Sequence, residues 1–473
     1  MTDVQTESSK LVGSTAFQEA RDQLVTLVRQ ASSRITGVRP PASPAHAEKL
    51  RHQLVQFQKD RGRDLYFPFL ASGLGNGPFV ELEDGSVKYD LITGIGIHFF
   101  GHAHPELMRE ALIATGADIY QGNLQPGDEA CVLLRAMLAR VEDSRLTRGW
   151  ITTCGTMANE IALKIIRQKK FPASHVIAFQ DCFAGRSTAM QEITDNPKYR
   201  EGQPVHGEVH YVPFYQPKAG LEASVQATID AMDAHLSAHP GKIAAIMMEP
   251  VQGEGGFNFA PREYYVAVFE AARRAGLAVW LDEIQSFGRT GRFFAFQTFG
   301  IQQYVDVVTT AKMLHASMVL FTEEYNPRPG LVAGTFTGTS ASLRVARRIL
   351  ELLDDGFYGP DGRIARLSAR FAANLARLAE GSCRGLIAER RNIGGMIAFE
   401  PFSGSAEDVK AVLMKLFDLG VVAFQCGHGP MLVRMLPPLG AMTEAQVDDA
   451  CEIIEKALLA VAAGRASAKG GSA

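Results

Sequence analysis

The chain lacks what several protein classes require. Cysteine is scarce: six in 473 residues, at positions 131, 154, 182, 383, 426 and 451. None stands in a C-x-x-C pair and no spacing matches a zinc-ligand set, so neither a disulfide framework nor a zinc module is expected. We read them as reduced thiols of a cytoplasmic protein, mostly packed as small apolar side chains. An excess of charge of one sign is also missing. Lys and Arg total 48 against 51 Asp and Glu, a net charge of −3, which offers no footprint for nucleic acid or an anionic membrane surface. No apolar run approaches the roughly 20 residues of a membrane span. The opening MTDVQTESSK lacks the basic-then-apolar pattern of a signal peptide, so none is expected. What is present, 46% apolar and 21% charged residues, is the composition of a globular protein. At roughly 150 residues per domain the length allows about three domains, or one large and one smaller.

The hydrophobic pattern divides the chain. Residues 1–45 read as an N-terminal extension, with a helix through Phe17, Ala20, Leu24, Leu27 and Val28 that ends before Pro40, Pro41 and Pro44. A second amphipathic helix is expected near Leu50, Leu54 and Phe57, followed by a hairpin in GPFVELEDGSVKYDLITG with Asp84-Gly85 at its turn. Residues 46–95 would form the first part of a smaller domain. Over 96–338 short β-rich runs alternate with helical patterns: 150–154, 175–181, 209–215, 242–249, 277–283 and 305–312. Several are apolar on both faces, as strands covered on two sides must be. Pro261 and Gly276 bracket a helix between two of them. This alternation predicts a large α/β domain with a mostly parallel sheet. Residues 339–473 read as a smaller α+β domain. They end in a helix capped by Thr443 and Gln446, whose apolar face is Val447, Cys451, Ile454, Leu458 and Val461. The tail GRASAKGGSA is expected to be disordered.

Three features fall at strand ends, where ligands of open α/β sheets sit. Gly155-Thr156 opens a helix whose free N–H groups and positive dipole end suit a phosphate, although a Gly-Thr helix start is more often structural. Asp282 ends an apolar strand, and a buried carboxylate needs a cationic partner. A protonated pyridine nitrogen would serve; a loop cap or a pair with Arg289 is the structural alternative. Lys312 ends a β-branched strand, where partial burial would free a neutral amine for Schiff-base formation.

LDEIQSFGRTGRFFAF (281–296) followed by Lys312 resembles the signature of the class III pyridoxal phosphate (PLP)-dependent aminotransferases of the ornithine and acetylornithine type. The resemblance covers nearly the whole chain. GIGIHFFGHAHPEL (94–107), CGTMANEIALK (154–164), FAGR (183–186), EPVQGEGG (249–256), GTFTGT (334–339) and RMLPPL (434–439) follow in family order. It implies a fold type I PLP-dependent transferase and assigns roles residue by residue. Lys312 would bind the cofactor aldehyde and later move a proton, with Asp282 facing the pyridine nitrogen and Gln285 the phenolic oxygen. Phe183 would stack on the ring. Gly155 and Thr156 would hold the phosphate. Thr335 would reach the phosphate of a neighbouring subunit, implying a homodimer with shared active sites. Arg434 would grip the substrate α-carboxylate, Arg186 the distal carboxylate of glutamate, and Glu254 would cover Arg434 when an ω-amine enters. The implied reaction is ping-pong transfer of an amino group, from a small-molecule donor with a terminal amine to 2-oxoglutarate.

Some positions depart from the family pattern. Ala184 replaces a usual His, Met157 an acid, and Thr339-Ser340 stand where Asn-Pro is common. The segment MLHASMVLFTEEYNPRPG after Lys312 is short of the usual glycines. These departures bear on the substrate more than on the cofactor. An aminomutase or racemase on the same scaffold, or a non-catalytic PLP-fold binding protein, are the alternative readings. His102 and His104 are read as structural, with no metal expected. GLGNG (73–77) is read as a loop, and Met247 and Met248 as core.

Overall fold

A computed structural model of the chain describes residues 6–470, and side chains through Ala466. It comprises two compact units. One is Ala117–Gly359; the other combines the described residues up to Gly116 with those from Pro360 onward.

The Ala117–Gly359 unit is built on a seven-stranded sheet. Its strands lie in the order Arg148–Thr152, Ser317–Phe321, Val307–Thr310, Ala278–Asp282, Ile243–Met248, His175–Phe179, Val209–Val212. The last five run parallel to one another, whereas Ser317–Phe321 is antiparallel to both of its neighbours. All six expected strands are present. The seventh lies inside the unusual segment after Lys312, where SMVLF is fully buried.

Burial explains the pattern. Ile243–Met248 and Ala278–Asp282 are buried at every residue, with Met247, Met248 and Trp280 wholly inaccessible. Helix Gly155–Lys170 presents Ala158, Asn159, Ile161, Ala162, Leu163, Ile165 and Ile166 to the core, a helical stripe along one side. Helix Arg262–Arg274 has Pro261 at its N-cap, and Gly276, just past its end, takes φ +72°. Helix Ser340–Leu353 packs on helix Asp128–Ala139 and so belongs to this unit.

The other unit carries two four-stranded sheets and several helices. Phe79–Leu82 and Val87–Asp90 form the expected hairpin, with Gly85 at φ +77° and the Asp84 side chain accepting from Ser86 N at 2.9 Å. GLGNG is not a loop. Gly73–Asn76 lie in strand Ala71–Asn76, where Gly75 allows an approach to Phe79 O and His102 that no Cβ would permit. His102 pairs with Asp90 at 3.1 Å. The C-terminal helix, Glu444–Gly470, is longer than expected. The tail reading is corrected for 464–470, which are helical; 471–473 lie outside the described residues. Arg465 pairs with Asp408 and lies 4.3 Å over the Phe402 ring, which anchors this alanine-rich stretch.

The capping box of that helix is formed: Gln446 N donates to Thr443 Oγ1 at 3.2 Å, and Thr443 N to Gln446 Oε1 at 2.9 Å. Thr443→Ala removes one of these bonds and should lower stability by about 1 kcal/mol. A urea midpoint unchanged from the parent would show that the cap contributes nothing.

Candidate active site

Asp282 closes strand Ala278–Asp282 at the carboxyl edge of the sheet and is 5% exposed. Its Oδ2 accepts from Asn159 Nδ2 at 2.6 Å and its Oδ1 from Ile284 N at 2.9 Å. Burial raises its pKa to about 6, against the opposing pull of these two donors and of the Lys312 charge. Asn159 is wholly buried and uses its whole amide. It also donates to Ala184 O at 2.7 Å and accepts from Thr309 Oγ1 at 2.7 Å. One side chain thus joins the strand-end acid, the adjacent strand and the 182–186 loop.

Lys312 follows the strand that pairs with Asp282, Thr309 being opposite Asp282 in register. It opens a short turn, Lys312–Leu314, at φ +50°, a backbone region that non-glycine residues seldom occupy. Its charge acts on Asp282, so the two residues singled out from sequence lie near one another.

Helix Gly155–Lys170 starts at the same edge, with Cys154 at the N-cap making no side-chain capping bond. Its first-turn N–H groups therefore suit an anion. Gly155 is required: a Cβ there would come within 2.7 Å of Ile284 Cδ1. Gly185, at φ +134°, lies so close to Thr156 that a Cβ would meet Thr156 Oγ1 at 2.6 Å. A buried carboxylate beside a lysine, with an uncapped helix start at the same strand edge, fits a cofactor that carries a cationic ring nitrogen and a phosphate.

The walls come from three loops. Glu249, fully buried, accepts from Phe183 N at 2.7 Å and Gly253 N at 2.9 Å, locking the 183 and 253 loops together. Burial, then the nearby Asp282, push its pKa well up. Gln285 is packed against Gly253, where a Cβ would fall 2.3 Å from its side-chain carbon. Glu283 folds the following segment on itself, accepting from Ala295 N, Phe296 N and Ser286 Oγ. The exposed Arg186 lays its guanidinium 4.0 Å from the Tyr199 ring centre. Tyr199 stands perpendicular to Phe183 at 6.2 Å, and its hydroxyl donates to Glu254 Oε1 at 3.4 Å. Phe183, Arg186 and Glu254 are thereby gathered around one tyrosine.

Thr335 and Arg434 come from other segments of the chain. Thr335 is exposed, beside the two-stranded sheet Tyr120–Gln121 with Gly338–Thr339. Ile119, Tyr120, Leu124 and Phe336 are exposed in the same segments, with the Tyr120 and Phe336 rings 5.2 Å apart. Arg434 belongs to the other unit. It is wholly buried in strand Leu432–Met435, its guanidinium 5.8 Å from the Phe424 ring centre. Sequence reasoning did not single out Asn159, Glu249, Tyr199 or Thr309. The first two stood within quoted family segments; Tyr199 carried no local signal.

The family model described as Aminotransferase class-III matches residues 65–458. The acetylornithine aminotransferase of Methanocaldococcus jannaschii is 30% identical over 382 residues, 77% of this chain and 87% of that protein. The diaminobutyrate–2-oxoglutarate transaminase of Bordetella parapertussis is 30% identical over 397 residues, covering 80% and 88%. Among solved structures, an ornithine aminotransferase from Toxoplasma gondii, with PLP partly occupying its active site, superposes with a TM-score of 0.75. It is 25% identical and covers 90% of this chain and 100% of its own. A lysine aminotransferase from M. tuberculosis gives 0.77 at 20% identity, covering 86% and 99%.

The raised Asp282 pKa has a definite sign. In the fold the acid titrates near 6 instead of 3.8. The neutral form is therefore favoured, and stability present below 3.8 is lost as pH rises through 6. In the cofactor-free protein, Asp282→Asn removes this dependence. Its stability relative to the parent should rise by about 1–2 kcal/mol between pH 5 and pH 8. Parallel stability curves for the two proteins would contradict the assignment.

Proposed function

The chain belongs to the class-III aminotransferases, a PLP-dependent family, and from that premise we propose that it moves the terminal amino group of an ornithine- or acetylornithine-like donor to 2-oxoglutarate. The observation that carries the reading is the Asp282–Lys312 pair at the strand edge where an uncapped helix begins. When bound, the cofactor supplies an aldehyde to receive the amino group and a ring to accept the electron pair left by proton loss.

The chain's own residues do the rest. Asp282 is fixed by Asn159 and Ile284 and would hold a proton on the ring nitrogen, offsetting its own burial. Lys312 would anchor the cofactor, then take and return the proton at the carbon that bears the transferred amino group. The N–H groups beginning at Gly155, with Thr156, would hold the phosphate. Phe183 would cover one ring face, and Gln285 would bond the phenolic oxygen.

Arg186 is proposed for the distal carboxylate of glutamate. Its exposure and its place on Tyr199 suit a side chain that meets a substrate as it enters. Glu254, bonded to the same tyrosine, supplies the negative charge that a terminal amine would seek. For Arg434, proposed for the α-carboxylate, the support is its place in RMLPPL. The names of the two relatives agree on the donor class, since acetylornithine and diaminobutyrate both carry a terminal amine, and the second names 2-oxoglutarate. Thr335 is proposed to contact the cofactor phosphate of a second subunit. The exposed Ile119, Tyr120, Leu124 and Phe336 near it suit burial in a homodimer. No described helix is long and apolar enough to cross a membrane, and the cytoplasm is the proposed compartment.

Lys312→Ala should lower glutamate formation about a thousandfold or more. Appreciable turnover by that variant would remove Lys312 from the chemistry. Asp282→Asn should slow single-turnover conversion of a bound donor by roughly 10²–10³-fold; a parental rate would reject its role at the ring nitrogen. The donor class is tested by a panel of ornithine, acetylornithine, diaminobutyrate, lysine, 4-aminobutyrate and simple α-amino acids, with 2-oxoglutarate as acceptor. The highest kcat/KM is expected for a donor with a terminal amine. Preference for α-amino acids lacking one would overturn the reading, as would isomerisation of a donor without any keto acid.

A further inference from the structure

A second group of chemistry-bearing side chains lies at the far edge of the same sheet. His175 opens strand His175–Phe179, and His210 is the second residue of the parallel edge strand Val209–Val212. Ile177 pairs with His210 in register. Because side chains alternate along a strand, His175 and His210 project from the same face. Helix Leu221–Ala238 packs on Val209–Val212 and ends with His239 as its C-cap, four residues after His235. Two hydrogen-bonding elements and a helix end thus bring imidazoles together from three directions.

We propose that His175, His210 and His239 form a binding site for a borderline divalent transition-metal ion, of which zinc is the type case. Each offers a ring nitrogen, and the three nitrogens all lie within 4.8 Å of one another. His175 Nδ1 and His210 Nε2 are 2.9 Å apart. Nitrogens around a tetrahedral zinc, at about 2.05 Å from the metal, sit roughly 3.3 Å from each other, so the His175–His210 pair would open slightly and His239 would turn off the His210 ring to complete the set. The cation would take the place of the proton that these two nitrogens now share. All three residues are half-buried, deep enough to hold fixed rotamers and open enough to leave a fourth position for water.

The helix end favours a cation, Lys242 opposes one, and the neighbouring rings surround the ligands. The carbonyl end of an 18-residue helix points its negative dipole pole at this corner. His235 adds no ligand: its Nε2 is 3.2 Å from Tyr211 O, and its ring stacks on His210 at 5.0 Å. His239 stacks on the same ring at 4.3 Å. His210 lies between the two rings. Of the charged groups nearby, the Glu208 carboxylate bonds Arg167 and Ser174, while Lys242 follows the helix in sequence and acts on His175. Imidazole donors select zinc, nickel or copper(II) over magnesium and calcium, which take oxygen ligands.

His175 is at the amino end of its strand, whereas Asp282 closes the carboxyl end of another. The ion is therefore assigned to the structure and not to amino transfer. It would tie the edge strand to the end of the helix that covers it, at the one margin of the sheet where Val209–Val212 has a single neighbour.

The test uses the full chain with its cofactor bound, stripped of metal with a chelator that is then removed. Cobalt(II) alone is titrated as an optical probe. One tetrahedral cobalt per chain is expected, displaced by one equivalent of zinc, with zinc raising the melting temperature by roughly 1–3 °C at tenfold excess over its Kd. His210→Gln and His239→Gln should each weaken cobalt binding tenfold or more, with His206→Gln as an unaffected control. His239 caps a helix end, so its variant should keep the parental cofactor absorbance and amino-transfer rate, which separates lost binding from lost folding. Absence of a stoichiometric cobalt spectrum in the parent would overturn the proposal. So would binding of equal strength in the His210 and His239 variants, since the ion would then sit elsewhere.

Discussion

The site depends on an ionisable carboxyl held where water cannot reach it. Left alone, a buried carboxylate is expensive enough to take up a proton. Here Asn159 and the Ile284 amide each give Asp282 a hydrogen bond, and Lys312 adds a positive charge. These partners offset burial without cancelling it, leaving the acid titrating near 6. The group is thus tuned to welcome a further cation. An asparagine suits the linking position better than an aspartate would. It donates to Asp282 and to Ala184 O while accepting from Thr309, whereas a second carboxylate would repel the first.

This arrangement also shows why the strand ends matter. Asp282, Thr309 and the start of helix Gly155–Lys170 are separate in sequence by more than a hundred residues at their widest, yet strand register alone sets two of them side by side. Glu249 then fastens the wall loops to the end of a third strand. The site is assembled from strand ends and a helix start, and its loops hang from them.

Much of this was readable from residues because the signals were local. Six strands announced themselves as apolar, β-branched runs bounded by polar or glycine-containing turns, and the capping box at Thr443 and Gln446 needed only a four-residue window. The seventh strand was missed because SMVLF is short and follows Lys312 at once, where a helix or loop was equally compatible with its composition. GLGNG was misread because glycine signals loop by default, and its real reason, close approach to Phe79 and His102, exists only in three dimensions. Tyr199 was invisible for a similar reason: no spacing in the chain announces a ring that three distant side chains will share. The helical tail was underestimated because Arg465 finds Asp408 and Phe402 far away in sequence.

The antiparallel strand Ser317–Phe321 begins only five residues after Lys312, and it turns straight back against the strand that delivered that lysine. The Lys312 amine is therefore tethered by a tight hairpin and not by a long swinging loop. Its travel then falls mainly to the torsions of its own aliphatic stem. Such rotations take picoseconds to nanoseconds, far faster than loop or domain rearrangement. The lysine side chain can accordingly swing without the scaffold having to breathe.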